Sequence, residues 1–139
     1  PGGKGANQAV AAARAGGNVV LLGAVGADPY GAELNDFLTG HGVNTSHLVE
    51  RSGVATGTAP ILVDQSGENM IVVVPGANGT VDGAVATAVP LSADDVLVAQ
   101  FETPANATLA FFRHGAAVGA LRILNPAPRR RFPGSCWSS

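Results

Sequence analysis

The first forty residues alternate between helical and strand-like patterns of apolar positions. Residues 4–16 carry apolar side chains at helical spacing, which predicts an amphipathic helix with one buried stripe. The predicted stripe comprises Ala6, Ala9, Val10 and Ala13. Residues 18–25 form a continuous apolar run with β-branched side chains, and this pattern predicts a buried strand.

A second helix is predicted to begin at Asp28-Pro29 and to end near Gly40. An aspartate followed by proline is typical of a helix N-cap and the first helical position. The side expected to be apolar comprises Tyr30, Leu34, Phe37 and Leu38.

The middle of the chain changes to a β-hairpin pattern. Two β-rich runs, 56–63 and 68–74, are separated by a short polar turn at 64–67. The second run is almost continuously apolar, and a lone exposed hairpin would be unstable. The hairpin is therefore expected to pack on the body of the protein or on a partner chain; a hairpin that merely extends the main sheet is the alternative.

Helix and strand patterns alternate again in the last third of the chain. A weak, poorly capped helix is predicted over 79–89, broken by Gly83. A buried strand over 96–101, a helix over 104–117 and a strand over 121–124 follow. This alternation predicts an α/β sandwich with a largely parallel sheet.

Composition and charge narrow the class of protein. With 139 residues, 46% hydrophobic and 13% charged, the chain suits one modest globular domain. The net charge of -2 gives no basic field for nucleic acid, and no apolar run of about 18 residues predicts a membrane span. The single cysteine, Cys136, fits a reducing compartment such as the cytoplasm. The three histidines show no metal-site spacing.

The glycine-rich start of the chain is the first candidate binding site. Gly2-Gly3-Lys4-Gly5 opens the first helix, where free backbone N–H groups attract anionic or oxygen-rich ligands. Lys4 adds a charge and Asn7 an amide, a set suited to sugar hydroxyls. The spacing matches neither a P-loop nor a dinucleotide fingerprint. The alternative is a glycine-rich turn that only starts a helix.

Glu102 is the second candidate, because it follows the predicted strand over 96–101. In open α/β sheets, ligands lie beyond the carboxyl ends of the strands, where a carboxylate can accept bonds from sugar hydroxyls. The alternative for Glu102 is an N-cap or a surface charge at the start of the next helix.

Six short motifs resemble, in order, those of the ribokinase (PfkB-type) family of carbohydrate kinases. The resemblance covers about residues 1–128. The motifs are Gly2-Gly3-Lys4-Gly5-Ala6-Asn7-Gln8-Ala9, Val25-Gly26-Ala27-Asp28-Pro29-Tyr30-Gly31, Thr56-Gly57-Thr58-Ala59, Pro75-Gly76-Ala77-Asn78, Gln100-Phe101-Glu102 and Asn125-Pro126-Ala127-Pro128. Gly67-Glu68-Asn69 also resembles part of the family's lid region.

The resemblance implies a ribokinase-like three-layer α/β sandwich with a β-hairpin lid, here over about residues 54–78. In the family, lid strands of two subunits form a homodimer over the sugar sites. The implied activity is ATP- and Mg²⁺-dependent phosphorylation of D-ribose at its 5-hydroxyl, with K⁺ as a possible further cation. The implied sugar-binding residues are Gly3, Lys4, Asn7 and Glu102.

The same resemblance implies an incomplete kinase site. The family's catalytic aspartate lies in a G-A-G-D motif, which has no counterpart in these 139 residues. Most ATP contacts and the motif that orders Mg²⁺ are expected to be missing too, so this piece alone is expected to be inert. The alternatives are another sugar or nucleoside kinase of the family, such as a fructokinase-like enzyme, and a catalytically inactive binding or interaction module.

Residues 129–139 break the pattern. This stretch has neither helical nor strand periodicity, and it contains three arginines, the only tryptophan and the only cysteine. Because the family resemblance stops where it begins, we expect an aberrant tail produced by a shifted reading frame. A basic tail for nucleic acid is the alternative.

Overall fold

A computed structural model describes residues 2–128 of the chain, and the unusual tail lies outside the described residues. The helices are α1 (Lys4–Arg14), α2 (Pro29–Gly40), α3 (Gly83–Ala86) and α4 (Ala105–Val118), with a 3₁₀ helix at Gly76–Thr80. The strands are β1 (Val19–Val20), β2 (Gly23–Gly26), β3 (Val43–Asn44), β4 (Leu48–Arg51), β5 (Ile61–Val63), β6 (Asn69–Ile71), β7 (Val96–Ala99) and β8 (Leu121–Leu124).

Most of the strand pairing is parallel. β1 pairs with β3, β2 with β4 and β7 with β8, and helices connect the strands of each pair or precede them. This arrangement confirms the predicted α/β class, since parallel pairs need crossover connections.

The strand predicted over 18–25 is split into β1 and β2. Its two halves pair with different strands. The residue-number offset between paired residues is 24 at Val19↔Val43 and 25 at Gly23↔Leu48. The partner segment therefore contains one extra residue, taken up in a turn where the Leu48 N–H donates to the Thr45 carbonyl oxygen over 2.9 Å. An extra residue of this kind interrupts the ladder.

The predicted hairpin is present as the antiparallel pair β5–β6, with Ile61 opposite Ile71 and Val63 opposite Asn69. Every residue from Thr58 to Pro75 is exposed. The hairpin therefore extends away from the described body of the molecule.

The prediction of a helix over 79–89 is wrong in the length of the helix and in the residue at which it begins. The structure has only the four-residue α3, and Gly83 is its first residue. Asp82 caps it, because the Asp82 side chain accepts from the Val85 N–H over 3.0 Å. The aspartate thus supplies the cap that the sequence pattern was thought to lack.

Two clusters of buried side chains form the core. One lies between α1, α2 and β3 and includes Ala6, Ala9, Val10, Leu38 and Val43. The other joins β2 to the 3₁₀ helix, α3 and α4 and includes Ala24, Ala77, Val81, Val85, Ala86 and Ala107. The predicted stripe of α1 is confirmed. The prediction for Tyr30 is wrong, because this side chain is 65% exposed.

The β7–β8 pair has one covered and one bare face. Leu97 is buried beneath α4, close to Gly115. Four exposed apolar side chains lie on the opposite face in two register pairs, Val96↔Leu121 and Val98↔Ile123. We call these four residues the bare sheet face. Among the described residues, nothing forms a third layer over it.

Candidate functional site

The start of α1 meets the carboxyl end of β7, and Lys4 and Glu102 join them. The Lys4 ammonium donates to Glu102 Oε1 over 2.7 Å, and the Lys4 backbone N–H donates to Glu102 Oε2 over 2.8 Å. Both side chains are half-buried. Charged hydrogen bonds of this length are among the stronger ones in proteins, so the pair fixes the two elements against each other.

Glu102 supplies the acceptor that α1 lacks at its own N-cap. Gly3 occupies the N-cap position with φ +94°, a left-handed conformation that favours glycine, and it has no side chain with which to cap. A carboxylate at a helix N-terminus also interacts favourably with the helix dipole. The anion predicted for this helix start is thus provided within the chain, and Glu102 caps α1 rather than the helix that follows it.

A second link lies beside the first. The Gln100 side-chain amide donates to the Gln8 side-chain oxygen, and Gln8 lies one helical turn after Lys4. Sequence reasoning did not assign either glutamine to the site. Both lie within quoted motifs, and the spacing of Gln8 from Lys4 was the available signal.

Asn7 is not brought into this group of contacts. Its side chain is exposed and has no hydrogen-bond partner among residues 2–128. Its backbone N–H donates to the Gly3 carbonyl oxygen over 3.0 Å as part of the first turn of α1. Of the four predicted sugar-binding residues, the structure therefore clusters Gly3, Lys4 and Glu102 and leaves the Asn7 amide facing solvent.

A cleft of about 700 Å³ adjoins these residues. Consecutive residues of β1–β2 and of β7 line it, including Val19 to Val25 and Val96 to Gln100. Because neighbouring side chains in a strand point to opposite faces, this lining indicates that the cleft follows the strand edges. The polar part of its lining includes the α1 start with Gln8, Gln100 and Glu102.

A third polar group lies at the start of α2. Asp28 caps the helix by accepting from the Gly31 N–H over 2.9 Å. The same carboxylate accepts from the Thr56 hydroxyl over 2.6 Å and from the Thr56 N–H over 2.7 Å. The Thr56 hydroxyl, followed by the N–H groups of Thr56 and Gly31, lowers the pKa of Asp28. The predicted cap at Asp28 is confirmed, whereas its contact with Thr56 was missed.

The geometry suits binding and orientation of a polyhydroxylated molecule. A carboxylate has about four lone-pair positions, and Lys4 occupies two on Glu102, so others remain for hydroxyl donors. Among residues 2–128 there is no group of three or more His, Cys, Asp or Glu side chains placed to hold a metal ion. No helix in that range has the length and apolar character needed to cross a membrane.

Comparison with known protein families gives a match over residues 1–128 to the model described as pfkB family carbohydrate kinase. The match spans almost the whole chain and includes every residue of the candidate site.

Individual relatives agree with the family match. A ribokinase of Schizosaccharomyces pombe is 40% identical, with 91% of this chain aligned to 42% of that protein. A ribokinase of Bacillus subtilis is 39% identical, with 94% of this chain aligned to 45% of that protein. The chain thus spans less than half the length of these curated relatives.

A solved structure agrees as well. The crystal structure of a ribokinase from Cryptococcus neoformans in complex with ADP superposes with a TM-score of 0.78 at 36% identity. It covers 94% of this chain, which corresponds to 39% of that structure. The fold described above is therefore the ribokinase fold, present in part.

Proposed function

The chain belongs to the pfkB family of carbohydrate kinases, and we propose that it forms the sugar-binding part of an ATP-dependent kinase acting on D-ribose. The observation that carries this proposal is the Lys4–Glu102 pair, which places a half-buried carboxylate and an ammonium group at a glycine-rich helix start. The ribokinase relatives support ribose as the acceptor among family substrates.

In this proposal each site residue has a separate role. Glu102 accepts hydrogen bonds from sugar hydroxyls, and Lys4 orients the carboxylate while donating to sugar oxygens. Gly3 lets the sugar approach the backbone closely because no side chain intervenes. Asn7 has a free amide one turn along α1, with which it can both donate and accept.

Phosphoryl transfer requires nucleotide, Mg²⁺ and a base for the attacking hydroxyl. The ADP in the Cryptococcus neoformans structure supports ATP as the donor. We assign no residue of the described part of the chain to ATP, Mg²⁺ or K⁺. The cytoplasm is the proposed compartment, because it supplies the ATP that the proposed reaction consumes.

The hairpin β5–β6 is proposed as the lid over the sugar and as the contact between two subunits. Five consecutive apolar residues, Met70 to Val74, are 44–65% exposed on it. Exposed apolar strands of this kind are covered in most stable proteins. A homodimer joined through the lids would cover them.

A chimera tests the proposal. Residues 1–128 replace the aligned segment of the Bacillus subtilis ribokinase, and ATP-dependent phosphorylation is measured with D-ribose, 2-deoxy-D-ribose, D-fructose and adenosine. We expect the highest kcat/KM with D-ribose. A chimera that folds and prefers fructose or adenosine would assign the site to another substrate of the family. A folded chimera that binds no sugar in calorimetry would indicate an interaction module instead.

A further inference from the structure

The hairpin is attached to the body of the molecule through a small region, which we call the hairpin base and define as residues 55–58 and 74–77. Within it, Thr58 and Val74 form an antiparallel bridge, and the Ala77 N–H donates to the Ala55 carbonyl oxygen over 2.8 Å. All residues between the two halves are exposed. The position of the hairpin therefore depends on how this base is held.

The two halves of the hairpin base pack backbone against backbone. A Cβ atom on Gly57 would lie 2.5 Å from the Pro75 carbonyl oxygen, and one on Gly76 would lie 2.4 Å from the Ala55 carbonyl oxygen. Real Cβ atoms do not approach backbone so closely, so both positions need glycine. The two halves consequently behave as one unit.

Thr56 connects this unit to the body. Its side chain is buried, and its hydroxyl accepts from the Gly26 N–H over 2.9 Å while donating to Asp28. The Thr56 N–H donates to the other oxygen of the same carboxylate. Asp28 thus joins three groups: the first turn of α2, the Thr56 hydroxyl and the Thr56 backbone.

We propose that Asp28 is a positioning residue for the hairpin, and that its bonds to Thr56 hold the hairpin base against the body. This positioning role depends on these hydrogen bonds and is independent of the proposed kinase activity. Removing the bonds loosens the hairpin base. The paired strands β7 and β8 keep their structure, and α4, which shares the buried cluster of Ala77 and Ala107 with the base, keeps its own helical hydrogen bonds. Without Asp28 the base retains the Gly26 bond, its own internal pairing and the burial of Ala77 in the core.

Hydrogen exchange followed by mass spectrometry tests this on the 139-residue chain. Asp28→Asn keeps the cap of α2, because asparagine caps helices as well as aspartate does. It removes the bond to the Thr56 backbone, because the asparagine NH₂ group would face the Thr56 N–H, and two donors cannot bond to each other. We expect the amides of Thr56, Thr58, Val74 and Ala77 to exchange at least about tenfold faster, with a clearly smaller increase in α4, as for a local opening.

Companion variants separate anchoring from general destabilisation. Thr56→Val should reproduce the effect, and Thr56→Ser, which keeps the hydroxyl, should restore protection. Combining Asp28→Asn with Thr56→Val should add little to either alone, because the two residues share one interaction. Asp64→Asn is the matched control, since Asp64 accepts from Ser66 at the exposed hairpin tip.

Three outcomes would overturn the proposal. The first is wild-type exchange in the hairpin base of Asp28→Asn and Thr56→Val. The second is faster exchange that is equal in the base and in α4, including loss of the whole fold, since Asp28 would then support the body. The third is an equal effect from Asp64→Asn.

Discussion

Glu102 caps α1, whereas the cap weighed from the sequence was for the helix that follows it, and sugar binding by Glu102 stays a prediction. Its carboxylate completes the first turn of α1 through the Lys4 N–H, and its remaining lone pairs are open to a ligand. Asn7 differs from it, since the Asn7 amide supports nothing within the described residues. Substitutions at the two positions should therefore separate binding from stability.

In the Bacillus subtilis chimera we expect Asn7→Ala and Glu102→Ala each to raise KM for ribose, by an amount equivalent to about 1–3 kcal/mol. Only Glu102→Ala should also lower Tm, because it leaves the Lys4 ammonium and N–H without their acceptor. Steady-state kinetics and thermal melts measure the two effects. Unchanged ribose kinetics in both variants would remove these residues from the site.

The acid stability of the chain should depend on Asp28. Because its hydrogen bonds lower the pKa of Asp28 in the folded chain, they stabilise the fold fully above the unfolded pKa of about 3.9. This contribution is lost as pH falls through the lower folded pKa. The Tm difference between wild type and Asp28→Asn, followed by circular dichroism, should shrink below about pH 4. A difference that grows with acidity would contradict this assignment.

At the scale of elements, the start of α2 is packed closely against the end of β2. A Cβ atom on Gly31 would lie 2.3 Å from the Gly26 carbonyl oxygen, whereas one on Gly40, at the other end of the helix, would meet nothing within 4 Å. We expect Gly31→Ala to destabilise the chain by about 1–3 kcal/mol and Gly40→Ala to be neutral or slightly stabilising. Urea denaturation of the two variants measures the contrast, and equal effects would argue against the close packing.

The hairpin provides the second test at this scale. Val72 is 44% exposed among apolar neighbours. We expect Val72→Glu in the chimera to shift the protein toward monomer or insoluble material, since the charge would be buried without a partner in the proposed dimer. Gln65→Glu adds the same charge at the turn and should leave the dimer intact. Light scattering that finds an unaltered dimer for Val72→Glu would place the interface elsewhere.

Elements with local signals were predictable from the sequence, and those that depend on distant partners were not. The Asp28-Pro29 cap, the stripe of α1 and the hairpin follow from residues within one turn or one strand. The division into β1 and β2 depends on the register of partners 24 and 25 residues away. The short strands β3 and β4 were missed for the same reason, because two to four residues give little periodicity.

The candidate site divides in the same way. Gly3, Lys4 and Glu102 were predicted from motif chemistry and the family resemblance, although Lys4 and Glu102 are 98 positions apart. The Gln8–Gln100 and Asp28–Thr56 contacts could not be foreseen, since no local pattern states which side chains of distant segments meet. The exposure of Tyr30 was not predictable for the same reason. It arises because no other segment of residues 2–128 covers this side chain at the start of α2.

At the scale of the whole molecule, the most prominent feature of residues 2–128 is their exposed apolar surface. The bare sheet face and the hairpin together expose large aliphatic side chains on two separate elements. Patches of this kind promote association. We therefore expect the purified 139-residue chain to be oligomeric or prone to aggregation in analytical ultracentrifugation.

A paired substitution identifies which surface is responsible. Val98→Ser with Ile123→Ser removes one of the two register pairs of the bare sheet face and should raise the monomer fraction. Leu62→Ser with Met70→Ser, a register pair on the hairpin, is the comparison. A monodisperse wild-type monomer with a cooperative calorimetric transition would contradict the expectation altogether.

The sequence separation of Lys4 and Glu102 also affects the order in which contacts can form during synthesis of the chain. The two residues are 98 positions apart in the chain. At a synthesis rate of roughly 5–20 residues per second, a ribosome finishes Glu102 about 5–20 seconds after Lys4. The cluster around Ala6 and Leu38 needs only the first 43 residues and can collapse during that interval. During synthesis this cluster can therefore form before Glu102 is available. Until then the N-terminus of α1 is hydrated and lacks its capping carboxylate.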